Sequence, residues 1–252
     1  MRQIGFAAFI FCSIVCLSCK ETQQELTADR IIAKAISRHG GEAYDNMEVE
    51  FDFRKRHFRA KISEGQYVYE RTFKSKEGDV TDVWSNNEFK RMINEKEIRL
   101  RQENRRSFQT ATNSVIYFAL LPFNLDDPVV NRQLMNSVKI KGEPYHKVEI
   151  TFGENGGGED FENVYIYWIH EEHFTVDYLA YGFYINGGGV RFREAYNARE
   201  IEGIRFQDYK NYTIRKDFPV QELDYAFEIG ELELVSDIKL ENIQVNKLVE
   251  AD

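Results

Sequence analysis

Hydrophobic positions along this chain follow two periods, one helical and one of strands. Near the amino terminus Ala28, Ile31, Ile32, Ala35 and Ile36 recur at helical spacing, one stripe of an amphipathic helix. Thr27 precedes the stripe as an N-cap, and Leu26 is placed to staple onto Ile31. Gly40-Gly41 ends the helix. The period then becomes two. Met47, Val49, Phe51 and Phe53 alternate with Glu48, Glu50, Asp52 and Arg54, the signature of a strand with one wet face. After His57 the apolar phase moves to Phe58, Ala60 and Ile62, which requires a turn or a bulge. Further strands over 66–74, 80–85 and 88–93, separated by Glu64-Gly65, Glu77-Gly78-Asp79 and Asn86-Asn87, predict an antiparallel meander.

The middle of the chain differs. Residues 107–125 carry no charge. Phe108, Ala111, Val115 and Phe118 hold one helical face, while Ile116, Tyr117, Ala119, Leu120 and Leu121 make the second half apolar nearly all round. Such a helix must be buried on every side or cover something. Thr110, Thr112, Asn113 and Ser114 argue against a membrane span, and Pro122 stops the helix. Strands resume over 146–152, 163–169, 173–180, 182–185, 190–196, 205–209 and 211–214, with hairpin signals at Asn155-Gly156 and Asn186-Gly187. Residues 164–169 are apolar in both phases, as in a central strand covered on both faces. The Leu-, Ile- and Val-rich stretch 223–249 is expected to add two edge strands.

The leader changes the picture. Arg2 is followed by the uncharged run 4–17, too short for a membrane span of about 20 residues. The run closes on Val15-Cys16-Leu17-Ser18-Cys19, which resembles the lipobox of bacterial lipoprotein signals, with Cys16 where leucine is commoner. The resemblance implies a signal peptide over 1–18, multiple acylation of Cys19, and a polar tether over 19–26. An ordinary secretion signal or an uncleaved anchor is the competing reading. All three cysteines, Cys12, Cys16 and Cys19, lie in this segment, so processing at Cys19 leaves no thiol or disulfide chemistry downstream. The formal net charge of -9 makes a poor partner for nucleic acid. Basic residues at 54–61 and 99–106 either meet anionic lipid head groups or, the favoured reading, form solvated strand edges and loop flanks.

Four features together resemble the periplasmic lipoprotein-carrier, LolA/LolB-like fold: the helix over 28–39, the meander over 47–93, the uncharged helix ending at Pro122, and the segments HKVEITF and VYIYWIHEEHFTVDYL. The layout is also similar to uncharacterised lipoproteins of Bacteroidota. Lys20-Glu21 matches part of the surface-export signal of that phylum, although Thr22 breaks the acidic pair. The resemblance implies a mainly β, α+β fold: a curled antiparallel sheet or half-barrel with an N-terminal helix, and a central apolar helix covering its open side. One β-rich domain over 27–252 is expected.

No motif specifies a reaction. His170-Glu171-Glu172-His173 lacks the spacing of a zinc-binding helix and reads as a polar hairpin tip. The glycine runs at 156–158 and 187–189 lie between strands rather than before a helix, which disfavours phosphate binding. Glu154, Glu159, Asp160 and Glu162 lack the spacing of a calcium loop. No catalytic residue, metal site or cofactor is assigned. The 19 phenylalanines and 14 tyrosines admit two readings. One is a filled core. The other is an apolar cavity lined by Trp84, Tyr165, Tyr167, Trp168 and Phe183, and roofed by Val115, Phe118, Leu121 and Phe123. The leading expectation is a non-enzymatic, membrane-anchored envelope lipoprotein holding a lipid or acyl chain there. A module docking a protein partner, and a hydrolase of envelope polymers, are the alternatives.

Overall fold

The structure, a computed structural model, describes residues 26–153, 163–183 and 187–248. The leader with Cys19, the acidic loop with Asn155-Gly156, and Asn186 of the second hairpin signal lie outside the described residues. The architecture is mainly antiparallel β with few helices, in two large open, curled sheets. It has the expected N-terminal and central helices.

Helix α1 (Ala28–His39) starts where its cap predicts, the Thr27 hydroxyl accepting the Arg30 amide at 3.3 Å. Ala28, Ile31, Ile32 and Ala35 are its buried stripe. The first sheet is a meander of β1 (Asn46–Phe53), β2 (Arg56–Ser63), β3 (Gln66–Ser75), β4 (Gly78–Ser85), β5 (Phe89–Ile93) and β6 (Lys96–Glu97). The phase change near His57 is a two-residue hairpin at Arg54-Lys55, both with positive φ (49° and 61°). That conformation matches the right-handed twist of the flanking strands even without glycine. Phe51 and Phe58 face one another across it and stack at 5.5 Å.

Helix α2 (Gln102–Ala119) begins five residues before the uncharged run and ends three before Pro122. Next come β7 (Val130–Leu134), β8 (Val138–Ile140), β9 (Glu143–Phe152), β10 (Tyr165–His170), β11 (Val176–Phe183), β12 (Gly189–Ile201) and β13 (Ile204–Thr213). They form the second sheet, in the order β14-β13-β12-β11-β10-β9-β7, with β8 beside β9. The two strands expected over 205–214 are one, β13, and the pair over 173–185 is β11. The C-terminal region supplies a short helix, α3 (Leu223–Glu228), and the expected edge strands. Of these, β14 (Glu233–Ile238) closes the second sheet, and β15 (Glu241–Lys247) pairs with β1 in the first.

The second sheet is covered on both faces, and every residue of β10 is buried. Tyr165, Tyr167 and Ile169 point into a cluster shared with α1 and the end of α2. Ile166 and Trp168 point the other way, into a cluster closed by Leu223 and Phe227 of α3. Helix α2 joins the two sheets. Its Ile116, Ala119 and Leu120 belong with Phe51, Phe58 and Ala60 of the first sheet, while Tyr117 and Phe118 belong with the second.

His39 ties the end of α1 to the second sheet. It is fully buried, and its Nε2 accepts the Val176 amide at 3.1 Å. Burial, reinforced by the nearby charge of Arg205, pulls its pKa from 6.5 down to about 3. An unfolded histidine takes up its proton near 6.5, whereas the folded one resists until about 3. Its contribution is therefore fully present above 6.5 and is lost as pH falls across that window, at about 1.4 kcal/mol per pH unit. Urea unfolding at stepped pH should show the wild-type protein losing stability through this window more steeply than His39→Gln. Equal slopes would remove His39 from the account.

Candidate functional site

Between the two sheets lies a partly enclosed cavity of about 1040 Å³, at the upper end of the range used by small hydrophobic ligands. Helix α2 forms one wall. It meets the first sheet through Phe108, Ile116 and Ala119, and another side of the helix, with Asn113, Ser114 and Tyr117, lines the cavity. Thr112 is buried without penalty because its hydroxyl donates to the Phe108 carbonyl at 3.0 Å. The facing wall is the inner side of the second sheet: Phe152 of β9, Tyr165 of β10, Tyr181 and Phe183 of β11, Arg191 and Arg193 of β12, Gln207 and Tyr209 of β13.

Five of the nine residues expected to form a cavity line this one: Trp84, Val115, Phe118, Tyr165 and Phe183. The other four do not. Trp168 points to the outer face of the second sheet, where its indole N–H donates to Asp224 at 3.3 Å beneath α3. Tyr167 faces inward but stands behind the lining, its hydroxyl 2.7 Å from that of Tyr117. Leu121 is past the end of α2 and enters the core beneath α1. Phe123 turns back onto Tyr44, with ring centres 4.9 Å apart. The helical face expected from Phe108, Ala111, Val115 and Phe118 is only half-buried, and the fully buried stripe is Thr112, Ile116 and Ala119. A helix enclosed on two sides need not bury its most apolar stripe deepest.

The polar part of the lining was not foreseen. Thr110, Asn113 and Ser114, which served only to argue against a membrane span, face the cavity. Its charged residues are Arg106, Arg191, Arg193 and Asp127. Burial holds the hydroxyls of Tyr167 and Tyr209 above their ordinary range, so both act as neutral hydrogen-bonding groups. Gln207 donates to Tyr209 at 2.8 Å and to the Val176 carbonyl at 2.7 Å.

A family model described as a family of unknown function, DUF6503, matches residues 6–241. The chain belongs to that family. No functionally curated protein matches it. Among solved structures, it is similar to a LolA superfamily protein from Nitrosomonas europaea, at 13% identity over 90% of this chain and 96% of that one, with a TM-score of 0.48. A DUF1329 family protein from Desulfovibrio piger shares 9% identity over 90% and 96%, with a TM-score of 0.41. A putative outer membrane lipoprotein-sorting protein domain from Vibrio parahaemolyticus shares 8% over 88% and 94%, also at 0.41.

In this DUF6503 chain the His170–His173 tetrad is a hairpin tip, as its spacing indicated. His170 Nδ1 accepts the amides of Glu172 and His173 at 3.1 and 3.2 Å, which fixes the turn. Among the described residues no group of three or more metal-ligating side chains converges. The first sheet carries a buried charge cluster beneath the start of α2. Asp82, fully buried, accepts from Arg71 at 2.5 and 3.0 Å and from Arg91 at 2.5 and 2.8 Å. Arg91 in turn lies 3.2 Å from the ring centre of Phe108 on α2. Removing the shared carboxylate leaves two buried guanidinium groups facing each other. Asp82→Asn should therefore lower stability by about 3–5 kcal/mol in urea unfolding. A loss under about 1 kcal/mol would mean that solvent reaches the cluster.

Proposed function

We propose that this protein is a lipid-anchored envelope protein that holds a hydrophobic ligand, a lipid or an acyl chain, between its two sheets without transforming it. The observation that carries this reading is the cavity itself. It is about 1040 Å³ in volume, walled by α2 on one side and by Phe152, Tyr165, Tyr181 and Phe183 on the other. A space of this size inside a chain with ample aromatic side chains to fill it calls for an occupant, because unfilled apolar volume is destabilising. The lining combines an aromatic wall with polar and charged side chains, a mixture suited to an amphiphile. The reading requires no reaction: Tyr209 of the lining and Tyr167 behind it are held neutral, and His39 is closed off beneath α1.

The test is the lipid carried by the purified protein. Organic extraction followed by mass spectrometry should recover lipid from the wild type. Ser114→Trp, which places an indole in the cavity from α2, should recover several-fold less. A wild type free of lipid, or a variant that carries as much, would overturn the proposal.

The anchor is a separate part of the proposal, resting on the leader. Cys19 is the acylated residue and residues 1–18 are removed. Labelled palmitate should enter the wild type and not Cys19→Ala, and that variant should move from the membrane to the soluble fraction. Label retained by Cys19→Ala and lost in Cys16→Ala would move the site to Cys16.

A further inference from the structure

Among the described residues, four cationic side chains are less than a tenth exposed: Arg71, Arg91, Lys147 and Arg193. Three have a buried carboxylate. Arg71 and Arg91 share Asp82, and Lys147 holds Asp224 at 2.9 Å. Arg193, only 8% exposed, has no carboxylate within ion-pair distance among the described residues. Its guanidinium donates once, to the Tyr181 hydroxyl at 2.9 Å, and lies 3.9 Å from the ring centre of Phe118. Its Nε is buried and unpartnered. A buried charge is costly unless it is paired and hydrogen-bonded, and a guanidinium is always charged.

Arg193 lines the cavity, and three of the four charged residues of the lining are arginines. Arg191, half-buried, and Arg106, exposed at the rim, are also in the lining, and neither has a carboxylate partner among the described residues. The one carboxylate of the lining, Asp127, accepts the Val129 amide at 3.0 Å and is exposed. A chain with a formal net charge of -9 thus turns one buried and one half-buried arginine toward the cavity. The planar fork of arginine is suited to bidentate pairing with a carboxylate or a phosphate.

We propose that Arg193 is the anion-recognising group of this cavity. Its ligand is an acyl amphiphile whose carboxylate or phosphate pairs with the guanidinium while its chain lies along the aromatic wall. This rests on the reading of the cavity as an apolar binding site and adds a head-group requirement to it.

The test is a calorimetric titration of the purified, delipidated full-length protein with three probes below their critical micelle concentrations: palmitate, a lysophosphatidate of the same chain length, and hexadecanol. At least one anionic probe should bind about ten-fold or more tightly than the alcohol. The tighter of the two assigns the head group as carboxylate or phosphate. In Arg193→Gln the preference should vanish, through loss of anion affinity with alcohol affinity kept. Equal wild-type affinity for all three probes would overturn the head-group proposal and leave the apolar site standing. Binding of none would overturn both. The wild-type comparison decides the matter without a variant. Where Arg193→Gln fails to fold, Arg193→Lys should keep part of the preference, and an unchanged preference in a folded Arg193→Gln would also overturn the proposal.

Discussion

The structure depends on α2 being enclosed by two sheets at once. The second half of α2 is apolar nearly all round and has no side that prefers water, so its surroundings must supply partners on every side. The first sheet takes Ile116 and Ala119, and the second takes Tyr117 and Phe118. Because consecutive strands β14 and β15 belong to different sheets, the chain also ties the two together beyond the helix. The cavity follows from this arrangement. A helix that reaches two sheets through aromatic side chains holds them apart, and the space beside it is filled only where those side chains reach.

Two treatments of buried charge distinguish the walls. On the first sheet, Arg71, Asp82 and Arg91 lie directly opposite one another across β3, β4 and β5, so the ladder itself sets the geometry of the pairs. Asp82 is saturated by four guanidinium contacts, and the remaining positive charge is spread over the rings of Phe73 and Phe108. This is a closed structural cluster. On the second sheet, Arg193 has the Tyr181 hydroxyl and the rings of Phe118, Tyr181 and Tyr209 but no anion among the described residues. Similar residue types, similarly buried, leave one wall electrostatically complete and the other open.

Much of the fold was legible because it rests on local signals. Thr27 and the stripe of α1, the alternation of β1, the shift of phase before Phe58, and the two-phase apolar run of β10 all state their environment within a few residues. The candidate site was legible only in part. Tyr167 and Trp168 are adjacent, so a strand must send them to opposite faces, and no local pattern says which face looks onto a cavity. The segment Arg191-Phe192-Arg193 poses the same question. Strand alternation sets Phe192 and its two flanking arginines on opposite faces and does not say which face a cavity adjoins. In the structure, α3 and its flanks cover the face that holds Phe192, and the arginines point to the interior. Sequence alternation tells two faces apart but does not say that a short helix more than thirty residues later will cover the apolar one.

That arrangement bears on what a cavity of this kind discriminates. The apolar walls reward any acyl chain in proportion to the area removed from water, about 25 cal/mol per Å², and so provide affinity with little selectivity. A lone buried guanidinium works differently. A neutral head leaves its charge uncompensated, a single anion compensates it, and the negative surface of the molecule opposes the approach of a polyanion. Selectivity of that type depends on Arg193 having no carboxylate of its own. An acidic side chain at Asn211, which lies directly opposite Arg193 across β12 and β13, would complete the pair internally, as Asp82 does for the first sheet, and remove the reason for a head group to bind.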